Sequence, residues 1–157
     1  MFNVVLFEPE IPPNTGNIIR LCANTGAKLH LIHPLGFETN AKELRRAGLD
    51  YIDWSNVYHY NNFEDYIDKN GFKSLYAVST KGEKYYSNCN FFKNDSFIFG
   101  PETRGLPQKI LDKFETEKIL KIPMLENNRS LNLSNATSII IYEAWRQINF
   151  KYDNKKY

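Results

Sequence analysis

The stretch NVVLFEPEIPPNTGNIIRLCANTGAKLHLIH, Asn3 to His33, decides the fold class. Asn3–Phe7 is a short apolar run bounded by proline, the pattern of a buried strand. Pro12 and Pro13 then break the chain. From Asn14 to Thr25 the apolar residues Ile18, Leu21 and Cys22 fall at helical spacing, with Asn14 read as N-cap and Gly26 as the residue past the C-terminus. Leu29–His33 is strand-like again and stops at Pro34. A strand, a helix and a second strand in about thirty residues form a βαβ unit, which implies a parallel sheet.

The alternation continues outward. Thr39–Ala47 reads as a short helix, Tyr51–Trp54 and Val57–Tyr60 as short strands, and Asn62–Asn70 as a helix capped by Asn62. Ser74–Ser79, Ser96–Phe99 and Ile119–Ile122 are further strands. Pro107–Phe114 is a helix with proline in its first turn, and Ser134–Asn149 a long one that Ser134 could cap. The expected architecture is α/β, a mainly parallel sheet flanked by helices. One domain is expected over residues 1–150, with 151–157 as a basic tail that frays. The final helix carries Ala136, Ile139, Ile140, Ile141, Ala144, Trp145 and Ile148, more than one narrow apolar stripe. It is therefore read as buried on two sides, with a subunit interface on one of them preferred over a helix packed only in its own core.

Composition narrows the function. The 157 residues hold 20 Lys and Arg against 18 Asp and Glu, so no strong net charge dictates a partner. No apolar run approaches the about 18 residues of a membrane span. The first strand begins at Asn3, which leaves no room for a secretion signal, so a cytoplasmic protein is expected. Two distant cysteines, Cys22 and Cys89, make neither a disulfide framework nor a zinc motif, and no metal is expected.

Ligands in parallel sheets bind beyond the carboxyl ends of strands. Three polar loops follow strands there: residues 8–17, 100–106 and 123–134. Gly100-Pro-Glu-Thr-Arg-Gly105-Leu-Pro107 has two glycines where backbone can approach a ligand closely, or simply turn. It lacks the Lys-Ser/Thr of a phosphate loop, and no Gly-x-Gly-x-x-Gly fingerprint occurs, which disfavours a nucleotide hydrolase and a dinucleotide enzyme. Asn14, Asn17 and Arg20 recur at spacings of three around one helix start. Arg20 suits bidentate phosphate binding, although taken alone it reads more readily as a solvated or salt-bridged surface residue. Ser130, Asn132, Ser134 and Asn135 supply hydrogen-bonding groups beside Leu131 and Leu133, as a polar ligand with an apolar body requires. Lys42, Arg45, Arg46, Lys81, Lys84, Lys151, Lys155 and Lys156 are solvated groups that could track phosphates if a dimer aligns them.

Taken in order, Asn14-Thr-Gly-Asn-Ile-Ile-Arg20, Gly100-Pro-Glu-Thr-Arg-Gly-Leu-Pro107 and Ile122-Pro-Met with Arg129-Ser-Leu-Asn-Leu-Ser-Asn-Ala136 resemble the three motifs of SPOUT-class RNA 2′-O-ribose methyltransferases. Glu8–Gly16, Leu44–Tyr51 and Tyr142–Gln147 resemble, within that class, the small tRNA (cytidine/uridine-2′-O)-methyltransferases of the wobble position, the TrmL group. Larger members carry an added RNA-binding domain, for which a strand starting at residue 3 leaves no room.

The resemblance implies a SPOUT fold with a C-terminal trefoil knot, a homodimer, S-adenosylmethionine as cofactor and the tRNA anticodon arm as partner. The reaction it implies is methylation of the wobble ribose, in leucine tRNAs. By position, it implies a cofactor pocket from Val78, Gly100, Ile122 and Ser130, with Glu102, Leu125, Leu131 and Asn135 as neighbours. It implies Arg20 as the group that activates the 2′-hydroxyl, with Asn14 and Ser130, or Asn132, positioning. A sister enzyme acting on another tRNA or rRNA nucleotide and a non-catalytic RNA-binding module are the rival readings.

Overall fold

β1 (Asn3–Phe7) is the strand around which the molecule is built, in a computed structural model that describes residues 1–37 and 56–151. Six more strands join it: β2 (Lys28–Ile32), β3 (Val57–Tyr60), β4 (Leu75–Val78), β5 (Lys84–Tyr85), β6 (Ser96–Phe99) and β7 (Ile119–Lys121). Every pairing is parallel, and the order across the sheet is β3-β2-β1-β6-β4-β7-β5. All the carboxyl ends therefore open onto one edge, which receives the loops after β1, β6 and β7.

Four α-helices lie among the described residues: α1 (Pro12–Thr25), α2 (Phe63–Asn70), α3 (Gln108–Leu111) and α4 (Leu133–Gln147). Side chains alternate across a strand. Val4 and Leu6 thus join one core with Ile18 of α1 and Ile140, Ile141 and Ala144 of α4. Val5 and Phe7 join a second core with Phe63 and Tyr66 of α2 and Ile110 and Leu111 of α3. A parallel sheet covered on both faces explains why its strands read as continuous apolar runs. No helix among the described residues is long and apolar enough to cross a membrane.

Several sequence readings need correction. Pro12 and Pro13 do not break the chain but open α1, where a missing N–H costs nothing because the first helical amides lack intrahelical acceptors. Asn14 is consequently inside the first turn, not the cap; the cap position is Ile11, which offers no side-chain acceptor. Ser134 does not cap α4: Asn132 does, its Oδ1 accepting from Ser134 N at 2.9 Å and from Ser134 Oγ at 2.7 Å. The helix read over Pro107–Phe114 is only Gln108–Leu111, followed by turns. β5 has two residues and no apolar run to announce it. Gly26, at φ 70°, ends α1 in the left-handed conformation as expected, and Asn62 caps α2 by accepting from Asp65 N. The expected helix Thr39–Ala47, the strand Tyr51–Trp54, the basic residues Lys42, Arg45 and Arg46, and all of the tail but Lys151 lie outside the described residues.

On α4 the buried residues are Leu133, Ser134, Thr137, Ile140, Ile141 and Ala144. Ile139 and Trp145 are half-buried and Tyr142 is 46% exposed.

Candidate active site

Each of the three loops leaves a strand at the same edge of the sheet. Between them lies a cavity of about 450 Å³, a size suited to a small organic ligand. Val78, Phe99, Leu106, Ile122 and Leu133 give it apolar walls, and Thr80 and Ser130 add hydroxyls. The loop after β6 doubles back on itself. A Cβ on Gly100 would lie 2.1 Å from Leu106 N and 2.2 Å from Gly105 C, so no other residue can stand there. Gly105 makes the return at φ 66°, in the left-handed region.

Side chains join the loops across the cavity mouth. Glu102 Oε2 accepts from Glu10 N at 2.8 Å, and its Oε1 accepts from Ile11 N and from Asn14 Nδ2, each at 3.1 Å. Those amides precede α1, whose own first turn has no acidic residue. Glu102 therefore places a carboxylate at a helix start from a loop about ninety residues away. Asn14 Oδ1 in turn accepts from Asn132 Nδ2 at 2.9 Å, and Asn132 caps α4. One chain of hydrogen bonds, Glu102–Asn14–Asn132–Ser134, thus connects all three motifs.

Beside it, Arg104 Nη2 donates to Glu8 Oε2 at 2.6 Å, and Thr103 Oγ1 donates to Glu10 Oε2 at 2.6 Å. The Thr103 hydroxyl is the main influence holding the Glu10 carboxyl below the usual carboxylate range; partial burial opposes it and Arg104 assists. The bond to Glu8 raises the Arg104 guanidinium further above its already high value.

Of the positions named from sequence, Asn14, Val78, Gly100, Glu102, Ile122, Ser130, Leu131 and Asn132 line the cavity. Leu125 is 82% exposed and Asn135 is exposed; each adjoins a lining segment in the chain without belonging to the lining. Arg20 is exposed on α1 with Asn17, also outside the lining. The sequence reading gave no role to Glu8, Glu10, Thr103 or Arg104, although Glu-Pro-Glu and Thr-Arg both stand inside quoted motifs. The two free cysteines are buried, and burial pushes the Cys22 thiol up to about 12, so it is inert at neutral pH. His33 Nε2 and His59 Nδ1 lie 2.8 Å apart at the ends of β2 and β3, and neither lines the cavity.

The chain has relatives among known proteins in both sequence and fold. A protein named tRNA (cytidine(34)-2′-O)-methyltransferase from Saccharophagus degradans is 57% identical over 150 residues, which cover 96% of this chain and 97% of that one. A protein of the same name from Escherichia coli K12 is 51% identical over 150 residues, covering 96% of each chain. A solved structure described as giving insight into 2-OH methylation of C/U34 on tRNA superposes with a TM-score of 0.85 at 40% identity, covering 96% of this chain and 98% of that one. An AdoMet-bound rRNA methyltransferase from Sinorhizobium meliloti superposes with a TM-score of 0.77 at 25% identity, over 94% of this chain and 56% of the other. The family model described as SpoU rRNA Methylase matches residues 1–142, which include all three loops and the cavity they enclose; the chain belongs to the SpoU methylase family.

Proposed function

We propose that this chain is an S-adenosylmethionine-dependent methyltransferase that modifies the 2′-oxygen of the wobble ribose, cytidine or modified uridine, in the anticodon arm of leucine tRNAs. The observation that carries the reading is the single cavity where all three motifs meet, tied by Glu102–Asn14–Asn132. The relatives' shared name supports the nucleotide, since identity of 51–57% extends over nearly the whole of each chain.

The pocket suits the cofactor chemically: Val78, Ile122 and Leu131 oppose apolar parts, Ser130 offers a hydrogen bond, and Gly100 leaves the backbone accessible. Leu125 and Asn135 are its neighbours rather than its walls. When bound, S-adenosylmethionine supplies an activated methyl group on a sulfonium.

The chain's own residues must then align the ribose oxygen and deal with its proton. Alignment can contribute several kcal/mol, up to about 7–11 in good intramolecular models. Asn14 is held by Glu102 and Asn132 in a fixed orientation, so its amide is set to position a substrate group. Ser130 stands across the cavity with a free choice of hydroxyl rotamer. Arg20 is read as a planar, fork-shaped donor rather than as the base. Its part is to orient the phosphate beside the target ribose and to stabilise the developing alkoxide, whose proton passes to solvent. Selection of RNA over DNA follows, because the 2′-hydroxyl is the nucleophile.

The reading includes one domain over residues 1–150, a homodimer, a cytoplasmic location and a trefoil knot near the C-terminus. Tyr142, Trp145 and Ile139 on α4 are the apolar groups a partner would cover. The knot is inferred from membership of the SpoU methylase family.

The test is nucleoside mass spectrometry on tRNA from cells lacking the wobble methylase, incubated with the protein and labelled S-adenosylmethionine. Label is expected as 2′-O-methylcytidine and 2′-O-methylated modified uridine at the wobble position of leucine tRNAs. Label at another ribose would replace the substrate, and failure to bind the cofactor would overturn the enzyme reading.

A further inference from the structure

Loops 8–11 and 102–104 exchange carboxylates. Glu102 accepts from the backbone amides of Glu10 and Ile11, while Glu10 Oε2 accepts from Thr103 N at 3.1 Å and Thr103 Oγ1 at 2.6 Å. Arg104 adds a third tie, with Nη2 on Glu8 and Nε 3.4 Å from Glu10 Oε1. Each carboxylate thus serves the amides of the other's loop, as the two members of a capping box serve each other within one helix.

The backbone is bent to allow this. Glu8 stands at φ 47°, in the left-handed region that residues with a side chain seldom occupy, and both Glu8 and Glu10 meet the same guanidinium. Such a conformation persists only where surrounding contacts over-determine it. Both partners of the clasp matter to the cavity. Thr103 and Arg104 line it, and loop 8–11 leads directly into Asn14 and then Arg20 on α1.

On the reading of this cavity as the cofactor pocket, we infer that Glu10 is a positioning residue that couples the cofactor-binding loop to the helix carrying Asn14 and Arg20. It touches no reacting atom. It fixes the loop after β6 against the start of α1, so that filling the pocket and ordering the groups that meet the ribose are one event. The low carboxyl pKa of Glu10 agrees with a group kept charged by the donors around it.

The experiment is calorimetric titration of the full chain with S-adenosylmethionine, with thermal melts alongside. Glu10→Ala is expected to weaken binding about tenfold, the size of one charge-assisted hydrogen bond. Glu10→Gln keeps an oxygen for Thr103 and should stay within about threefold of the unaltered protein, a rescue that a merely structural role would not produce. Thr103→Val, which keeps its N–H, should weaken binding about threefold, and the double variant Glu10→Ala/Thr103→Val should be no weaker than Glu10→Ala alone. Binding by Glu10→Ala within about twofold of the unaltered protein, or additive losses in the double variant, would overturn the coupling. If Glu10→Ala fails to fold, Thr103→Val decides: unchanged affinity there also overturns it. No binding by the unaltered protein would instead sink the cofactor reading itself.

Discussion

His30 and Glu102 each stand at the centre of a polar network, one inside the sheet and one above its edge. His30 is 4% exposed on β2, with Nδ1 2.8 Å from Tyr60 Oη and Nε2 3.3 Å from Asn3 Oδ1. Asn3 donates its amide to Asn94 O and Ser96 Oγ, so its oxygen must face His30. Nε2 therefore carries the proton, and Nδ1 accepts from the tyrosine hydroxyl. The rings of Tyr58, Tyr60 and Tyr66 pack around the imidazole. Strand register fixes every partner, and no hydrogen-bonding capacity of the imidazole is left over. Around Glu102 the partners all come from residues 10–14, and the network reaches the third motif only through Asn14 and Asn132; Asn14, Ser130 and Thr80 keep capacity beside a cavity. A saturated network holds a fold, whereas an unsaturated one beside a cavity is ready for a ligand.

The sharpest way to break the second network is to deform its loop. Gly100→Ala drives a Cβ into the backbone of Gly105 and Leu106; a loss of about 4 kcal/mol is expected, in the range reserved for steric strain, together with loss of cofactor binding. Urea melts and calorimetry measure both. Arg20→Ala should cost no more than about 1 kcal/mol of stability, as for an exposed charged residue, yet lower the methylation rate about 10²–10³-fold, read by nucleoside mass spectrometry. Arg20→Lys with full activity would remove the bidentate phosphate role.

The buried network is broken by acid. Burial, aided by the charge of Lys28, lowers the His30 pKa to about 4, against 6.5 in the unfolded chain. Between those values the unfolded chain binds a proton that the folded one refuses, so stability falls as pH drops from about 6.5 to about 4. The loss is about 3 kcal/mol, and His30→Asn should flatten the slope in urea melts across that window. Glu10 has the opposite placement: its lowered pKa makes its contribution complete above about 4.5 and lost only below. The two networks are thus separable by pH alone. The smallest effect belongs to Asn132→Ala, which removes the α4 cap at about 1 kcal/mol, a fall of about 2–4 °C in melting temperature. Because Asn132 also holds Asn14, cofactor affinity should fall with it, whereas Asn62→Ala, a cap remote from the cavity, should cost similar stability with affinity intact.

The strands Asn3–Phe7, Val57–Tyr60 and Ser96–Phe99 were legible to the residue, because short apolar or aromatic runs end abruptly at polar or breaking residues. The start of α1 was not, since a proline pair reads equally as an interruption or as a first turn. The three motif loops were legible as loops of one edge from topology alone. The caps were not, because Asn132 and Ser134 are both good cap residues two positions apart and only geometry chooses. The Glu10–Thr103 clasp lay outside sequence reasoning for a simpler reason: its members are 93 positions apart, and nothing local marks either as a partner.

The strand order also governs how the chain assembles. β1 pairs on one side with β2, some twenty residues on, but on the other with β6, for which Asn3 must wait until Ser96. At about 5–20 residues per second, an emerging chain carries an open, apolar central strand edge for on the order of ten seconds before its neighbour exists. Such non-local pairing slows folding. During that interval the first half of this protein is a natural client for whatever shields unpaired strands at the ribosome.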